Sequence, residues 1–245
     1  MAKAKAKVKI PLQVCILAGG LGTRLRSVLP DLPKVLAPVG DKSFLEYLVR
    51  YLCGQGFWRF VFLLGYRHEA VQECLEHKIR PAWPGAEWVV SVEPEPLGTG
   101  GAAKFAQAML GEQFFLVNGD SYLEFDAAAM LRVHRASNAE ATLAVRQVPD
   151  AGRYGSVEVD AGGRVVGFRE KVAAGGPGLV NGGVYVLNRS VVESMPAGRP
   201  VSIERETFPA MLAAGRVMMS SRQDAGRFSD IGTPESYRQF QEMDF

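Results

Sequence analysis

Residues 17–39 read LAGGLGTRLRSVLPDLPKVLAPV, a short apolar run, a glycine loop, an arginine, and then a lysine inside a Pro-Lys pair. Gly19, Gly20 and Gly22 let main-chain N–H groups come close to an anion, because glycine tolerates positive φ and carries no Cβ. Arg24 can grip phosphate oxygens as a planar fork, and Lys34 brings a compact, mobile charge to the same anion. The chemistry these residue types suit is the cradling of a polyphosphate. Neither common phosphate motif accounts for them. No Gly-Lys-Ser/Thr follows Gly22, and Leu25 stands where a dinucleotide fingerprint needs its third glycine.

Two carboxylates add a second function. Asp120 ends the run FFLVNGD, directly after a strand-like apolar segment, and Asp230 lies in FSDIGTPE, just before a helix expected to start with Thr233 as N-cap and Pro234 at its first position. Taken alone, an aspartate at a strand end is more often a turn or a helix cap. As metal ligands, carboxylates without histidine or thiolate favour a hard cation. A polyphosphate cradled beside them makes Mg²⁺ the expected one.

Over its whole length the 17–39 segment resembles the signature GGxGTRLxPLTxxxPKPLxPV of the sugar-1-phosphate nucleotidylyltransferases. Ser27-Val28-Leu29 replaces Pro-Leu-Thr and Val35 replaces a proline, leaving Gly20, Gly22, Thr23, Arg24, Leu25, Pro33 and Lys34 in register. The resemblance implies transfer of a nucleoside monophosphate from a nucleoside triphosphate to a sugar 1-phosphate. It implies Asp120 and Asp230 as the metal ligands and Arg24, Lys34 and Lys171 as the catalytic cations. Leu17, Ala18, Gly19, Gly20, Gly22, Thr23 and Arg24 would line the nucleotide, joined by Asn118 and Gly119 of the GD motif. On the acceptor side, RYG at 153–155, GFREK at 167–171 and NGG at 181–183 resemble family segments around the sugar. Tyr154, Gly155, Glu170, Lys171 and Asn181 would then hold the sugar phosphate. An exposed charge pair at a strand end is the plain alternative for Glu170 and Lys171.

The base-reading segment is EPEPLGTGGA at 93–102, which resembles that of guanylyl-transferring relatives. Glu93 could accept from the N1–H and N2 amino group of guanine, a donor pair absent from uracil and thymine. Alternatively Glu93 faces solvent and backbone groups of residues 97–101, including Leu97, Gly98 and Thr99, read the base. GTP is the expected donor, and a heptose 1-phosphate is the expected acceptor, with mannose 1-phosphate next and uridylyl or thymidylyl transfer behind. A reading from another class is a catalytically silent subunit that senses nucleotide sugars. The resemblance also admits a homo-oligomer.

These residues need a scaffold that brings strand ends together. Residues 13–17 read as a buried strand, and Ser43-Phe-Leu-Glu46 reads as a capping box opening a helix that Gly54 or Gly56 ends. Phe44, Leu45, Leu48, Tyr51 and Leu52 share one face of that helix. Apolar runs at 60–64, 88–92 and 114–117 alternate with helical patterns at 70–75 and 102–110. The alternation predicts an α/β fold, a mostly parallel sheet flanked by helices with ligands at the carboxyl ends of its strands. By resemblance it is a Rossmann-like, GT-A-like nucleotidyltransferase fold. After about residue 150 the pattern shifts to a hairpin at 156–170 and a strand at 183–187, read as a small β-rich lid on the substrate side.

The chain has 245 residues, 47% hydrophobic, with 28 basic and 26 acidic side chains, enough for one large domain and nearly neutral. No nucleic-acid footprint is expected. Cys15, Cys53 and Cys74 lack CxxC spacing, and His68, His77 and His134 form no ligand cluster, so neither zinc nor a disulfide framework is indicated. A reducing cytoplasm is the expected setting. The basic residues 1–11 read as a tail, followed by a single domain over 12–245. That tail lacks the apolar run of a signal peptide, and no stretch reaches the length of a membrane span.

Overall fold

The computed structural model describes residues 9–152, 155–169 and 176–245. Seven strands form the central sheet: β1 (Gln13–Leu17), β2 (Arg59–Leu64), β3 (Glu87–Val92), β4 (Gln113–Asn118), β5 (Ala141–Val148), β6 (Gly178–Asn188) and β7 (Met218–Arg222). Their order is β7-β5-β6-β4-β1-β2-β3, and β6 alone runs against its neighbours. The sheet is therefore mixed and mostly parallel.

Its strands are apolar at successive positions because both faces are covered. Val14, Ile16, Phe60, Phe62, Phe115 and Val117 enter one core, while Cys15, Val61, Leu63, Phe114 and Leu116 enter the other. This is the period-two alternation of a strand with an apolar partner on each side. The first core is closed by α1 (Phe44–Gln55), α2 (His68–Cys74), α4 (Ala127–Ala136) and α7 (Pro234–Gln241). The second is closed by α3 (Gly98–Phe105), α5 (Arg189–Glu193) and α6 (Phe208–Ala213). Fully burying each large side chain contributes about 1.5–3 kcal/mol.

Local sequence sets the helix ends. Ser43 and Glu46 form the reciprocal capping box that opens α1, and Gly56, at φ 100°, closes it. Thr233 caps α7 and Pro234 takes its first position. The ring of Phe240 on α7 meets Phe44 of α1 at a centroid distance of 4.8 Å, which anchors the chain just after Asp230.

Several elements differ from the expected bounds. The helix expected at 102–110 begins at Gly98 and ends at Phe105, so half of the base-reading segment is helical. Its glycines allow this: the N–H groups of Gly100 and Gly101 donate to Val201 O at 2.8 and 3.3 Å, an approach that side chains there would block. The strand expected at 183–187 begins at Gly178, with a register shift between Asn181 and Tyr185 where Gly183 takes φ 72°. Sequence reading assigned no strand to β5 or β7. The hairpin is present as Ser156–Val159 and Val165–Arg169, its turn held by Asp160 Oδ1, which accepts from the N–H groups of Gly162 and Arg164 at 2.9 Å. Val157 and Val165 of that hairpin are buried in the second core. All three cysteines are free, and no helix among the described residues is long and apolar enough to cross a membrane.

Candidate active site

The glycine loop leaves the carboxyl end of β1, as ligand-binding loops do in open α/β sheets. Its entry is tied into the sheet, with Ala18 N donating to Leu63 O at 2.8 Å and Tyr66 N donating to Gly19 O at 3.3 Å. Gly20 is open, since a Cβ there would meet nothing within 4 Å. Gly22, at φ 58°, starts the short turn Thr23–Leu25. Leu25 is buried as its anchor, while Thr23 and Arg24 are exposed. Arg24 has no hydrogen-bond or ion-pair partner among the described residues.

Next to this loop, β4 ends at Asn118 against the end of β1. Gly119 N donates to Leu17 O at 2.9 Å, and a Cβ on Gly119 would lie 2.4 Å from that oxygen, so only glycine lets the two strand ends meet. The chain then delivers Asp120 and enters Ser121–Leu123, which pairs antiparallel with Phe228–Asp230. Ser121 faces Asp230 in that register, and Ile231 N donates to Asp120 O at 2.9 Å. Two aspartates distant in sequence thus stand on one strand pair.

Lys34 comes to the same place. Its Nζ donates to Asp120 Oδ2 at 2.6 Å, with the lysine side chain 11% exposed and the aspartate 42%. Sequence reading set Lys34 on the anion beside Arg24. In the structure its ammonium faces the carboxylate and only its stem packs against Gly22, because the half-buried Asp120 supplies the opposite charge. Asp230 Oδ1 accepts from Gly232 N at 2.6 Å and Ser236 Oγ at 3.0 Å, leaving Oδ2 without a protein partner among the described residues. No group of three His, Cys, Asp or Glu side chains that could hold a metal occurs among the described residues. The oxygen-only pair Asp120 and Asp230 suits part of a hard cation's shell, with substrate oxygens completing it.

The base side is built differently. Glu93, just past β3, turns its carboxylate inward. A Cβ on Gly19 or Gly65 would lie 2.8 or 2.7 Å from Glu93 Oε1, and Oε2 accepts from Leu97 N at 3.1 Å. Burial pushes the Glu93 carboxyl above the usual carboxylate range, and the Leu97 N–H offsets this in part. Glu93 is thus wedged between the ends of β1 and β2 and does not simply face solvent. The backbone alternative loses donors as well, since the N–H groups of Leu97, Gly100 and Gly101 are engaged within the protein. Gly98 is held at φ 70° against Val201. Thr99 Oγ1 donates to Glu204 Oε2 at 3.0 Å and accepts from Ile203 N at 2.8 Å.

On the acceptor side, Asn181 Nδ2 donates to Tyr185 Oη at 2.8 Å and Asn181 Oδ1 accepts from Gly183 N at 3.0 Å. Gly155, at φ 78°, donates its N–H to Ala151 O at 3.0 Å. Tyr154, Glu170 and Lys171 lie outside the described residues. Sequence reading missed Tyr185 and Glu204. Tyr185 hides in an apolar strand, and Glu204 in SIERETF reads as one of several exposed helix charges.

A family model described as nucleotidyl transferase matches residues 13–244. The chain is 34% identical to a D-glycero-alpha-D-manno-heptose 1-phosphate guanylyltransferase of Campylobacter jejuni, over 94% of this chain and 98% of that protein. It is 35% identical to a mannose-1-phosphate guanylyltransferase of Mycobacterium tuberculosis, over 91% of this chain and 61% of that protein. The crystal structure of HddC from Yersinia pseudotuberculosis complexed with GMP-PN superposes with a TM-score of 0.81 at 33% identity, covering 94% of this chain and 98% of that one.

Proposed function

Because the chain belongs to the nucleotidyl transferase family, we propose that it transfers GMP from GTP to a sugar 1-phosphate, giving a GDP-sugar and pyrophosphate. A heptose 1-phosphate is the proposed acceptor and mannose 1-phosphate the second choice. The observation that carries this reading is the placement of Asp120 and Asp230 on one strand pair beside the glycine loop and its exposed Arg24. Similarity over 98% of the heptose enzyme's length supports the acceptor.

The reaction needs no general base. A sugar 1-phosphate has its second pKa near about 6, so at neutral pH it is largely a dianion able to attack the α-phosphorus. The new P–O bond forms as the bond to the β-phosphate breaks, and pyrophosphate leaves. Arg24 and the loop N–H groups would stabilise the charge gathering on that leaving group. Asp120 and Asp230 would hold a divalent cation, Mg²⁺ by ligand chemistry, which when bound neutralises phosphate charge. Lys34 holds its ammonium against the Asp120 carboxylate with its stem against Gly22 of the loop, and Lys171 would orient the acceptor phosphate. Glu93 would accept from the N1–H and N2 group of guanine. A silent sensing subunit would be free to lose these groups, yet Arg24, Lys34, Asp120 and Asp230 are all in place.

The test is a screen of nucleoside triphosphates against a panel of sugar 1-phosphates, read by released pyrophosphate. GTP with a heptose 1-phosphate should give the highest kcat/KM. Equal or better use of UTP or dTTP overturns the guanylyl assignment and leaves the transferase class standing.

A further inference from the structure

Tyr185 on β6 is fully buried, and its hydroxyl donates to Glu204 Oε1 at 3.0 Å while accepting from Asn181 Nδ2 at 2.8 Å. The other oxygen of the same carboxylate, Glu204 Oε2, accepts from Thr99 Oγ1 at 3.0 Å and from Ser202 Oγ at 3.3 Å. One side chain from the turn Ile203–Thr207 therefore joins the start of α3, on the base side, to the bulge of β6, on the acceptor side. Among the described residues, Thr99 and Asn181 are joined by hydrogen bonds only through Tyr185 and this carboxylate. A carboxylate accepts at both oxygens, which lets this one take three hydroxyl donors, those of buried Tyr185 and of half-buried Thr99 and Ser202.

We infer that Glu204 is a positioning residue that holds the base-side segment at 97–99 and the acceptor-side bulge at 181–183 in one fixed relation, so that its loss weakens capture of both substrates together. The inference rests on the proposed transferase reading for what the two segments bind. Both oxygens of Glu204 are taken up by hydroxyls of the protein. Its effect is transmitted through Thr99 in one direction and through Tyr185 and Asn181 in the other.

The test measures KM for the nucleoside triphosphate and for the sugar 1-phosphate separately, in the full chain and well below each variant's thermal midpoint. Glu204→Ala should raise both KM values about tenfold, the size expected for losing hydrogen bonds to a charged group. Thr99→Val should raise the nucleotide KM more than the acceptor KM, and Tyr185→Phe the reverse. Glu204→Gln keeps the shape and part of the bonding, and should return both values to within about threefold of wild type. Should Glu204→Ala not fold, the double variant of Thr99→Val with Tyr185→Phe takes its place. Effects that are not additive support the shared carboxylate, and additive effects overturn it. A Glu204→Ala protein with a lower thermal midpoint but unchanged KM values, or with only one KM changed, overturns the inference. Hydrogen exchange is read in parallel, because it needs no turnover. Faster exchange at both segments in Glu204→Ala supports the link, and loosening confined to 202–207 overturns it. A wild-type chain that makes no pyrophosphate with any substrate pair defeats the functional reading instead, and the exchange result then judges the link alone.

Discussion

The strand pair carrying Asp120 and Asp230 and the segment running from Glu93 to Thr99 both flank the glycine loop, yet they use their polar groups in opposite ways. On the strand pair, charged atoms face one another with acceptor capacity to spare: Asp230 Oδ2 has no partner among the described residues, and Asp120 is matched by Lys34 at 2.6 Å. On the base side, the same kinds of group are spent on the protein itself. Glu93 fastens Leu97 N and packs against Gly19 and Gly65, and Thr99 is bound to Glu204 and Ile203. A charged ligand arriving at the first region meets groups with little else to do. A base arriving at the second meets a surface whose shape is already determined by internal bonds, so specificity there depends on positioning as much as on contact.

The largest effect should come from the strand pair. Asp120→Asn and Asp230→Asn keep side-chain volume and the paired backbone, so both should fold, and each should lower kcat by at least about a hundredfold, roughly 2.7 kcal/mol. Chelating divalent metal should stop the wild-type reaction altogether. Full activity in the presence of a chelator would remove the metal from the mechanism and with it the contrast between the two regions.

The two cations test the same contrast at the next level down. Arg24 has no partner among the described residues, so Arg24→Ala should cost about a hundredfold in kcat with no change in thermal midpoint. Lys34→Ala should lose a similar factor and also shift the midpoint, because Asp120 loses its ion-pair partner. Equal thermal behaviour of the two variants would mean that the Lys34–Asp120 contact does not hold in solution. Either one retaining more than half of wild-type kcat at saturating substrates would refute its assigned role.

The same division explains what was legible in the sequence. The glycine loop, the two aspartates, both helix caps and strands β1 to β4 were readable because each is written in residues close together: a glycine run, a carboxylate after an apolar strand, Ser-x-x-Glu, alternating large apolar side chains. β5 and β7 were not read. β7, MMSSR, is a half-polar edge strand whose place is set by pairing with β5 rather than by its own pattern. Glu204 and Tyr185 were not legible because what distinguishes them is a meeting of three segments distant in sequence. The partner of Lys34 was missed for the same reason. Glu93 is legible as a candidate because it opens the EPEPLGTGGA segment. That two glycines from other strand ends would press against its carboxylate is a tertiary fact with no local mark.

Glu93 also gives the subtlest way to sharpen the comparison. Because burial raises its pKa, protonation sets in as pH falls while ordinary carboxylates are still ionised. A protonated carboxyl puts a donor where guanine also has donors, so it can no longer accept from both N1–H and N2. The kcat/KM ratio of GTP to ITP, which lacks only the N2 amino group, should therefore decline from about tenfold at neutral pH as the solution is acidified. Taking the ratio cancels the titration of the phosphates, which both nucleotides share. Glu93→Gln should show a smaller ratio that is flat with pH. The stability effect runs in the matching direction. A carboxyl whose folded-state pKa is raised contributes its full stability below its ordinary value of 4.5 and loses it as pH rises through the folded-state value. The thermal midpoint of Glu93→Gln relative to wild type should thus be higher at pH 7 than at pH 5. An unchanged GTP to ITP ratio in Glu93→Gln, at every pH, would move base reading to the N–H groups of Gly98 and Thr99. Among the described residues, those two amides of the 97–101 segment donate to no group outside their own helix, and Glu93 would then serve the loop alone.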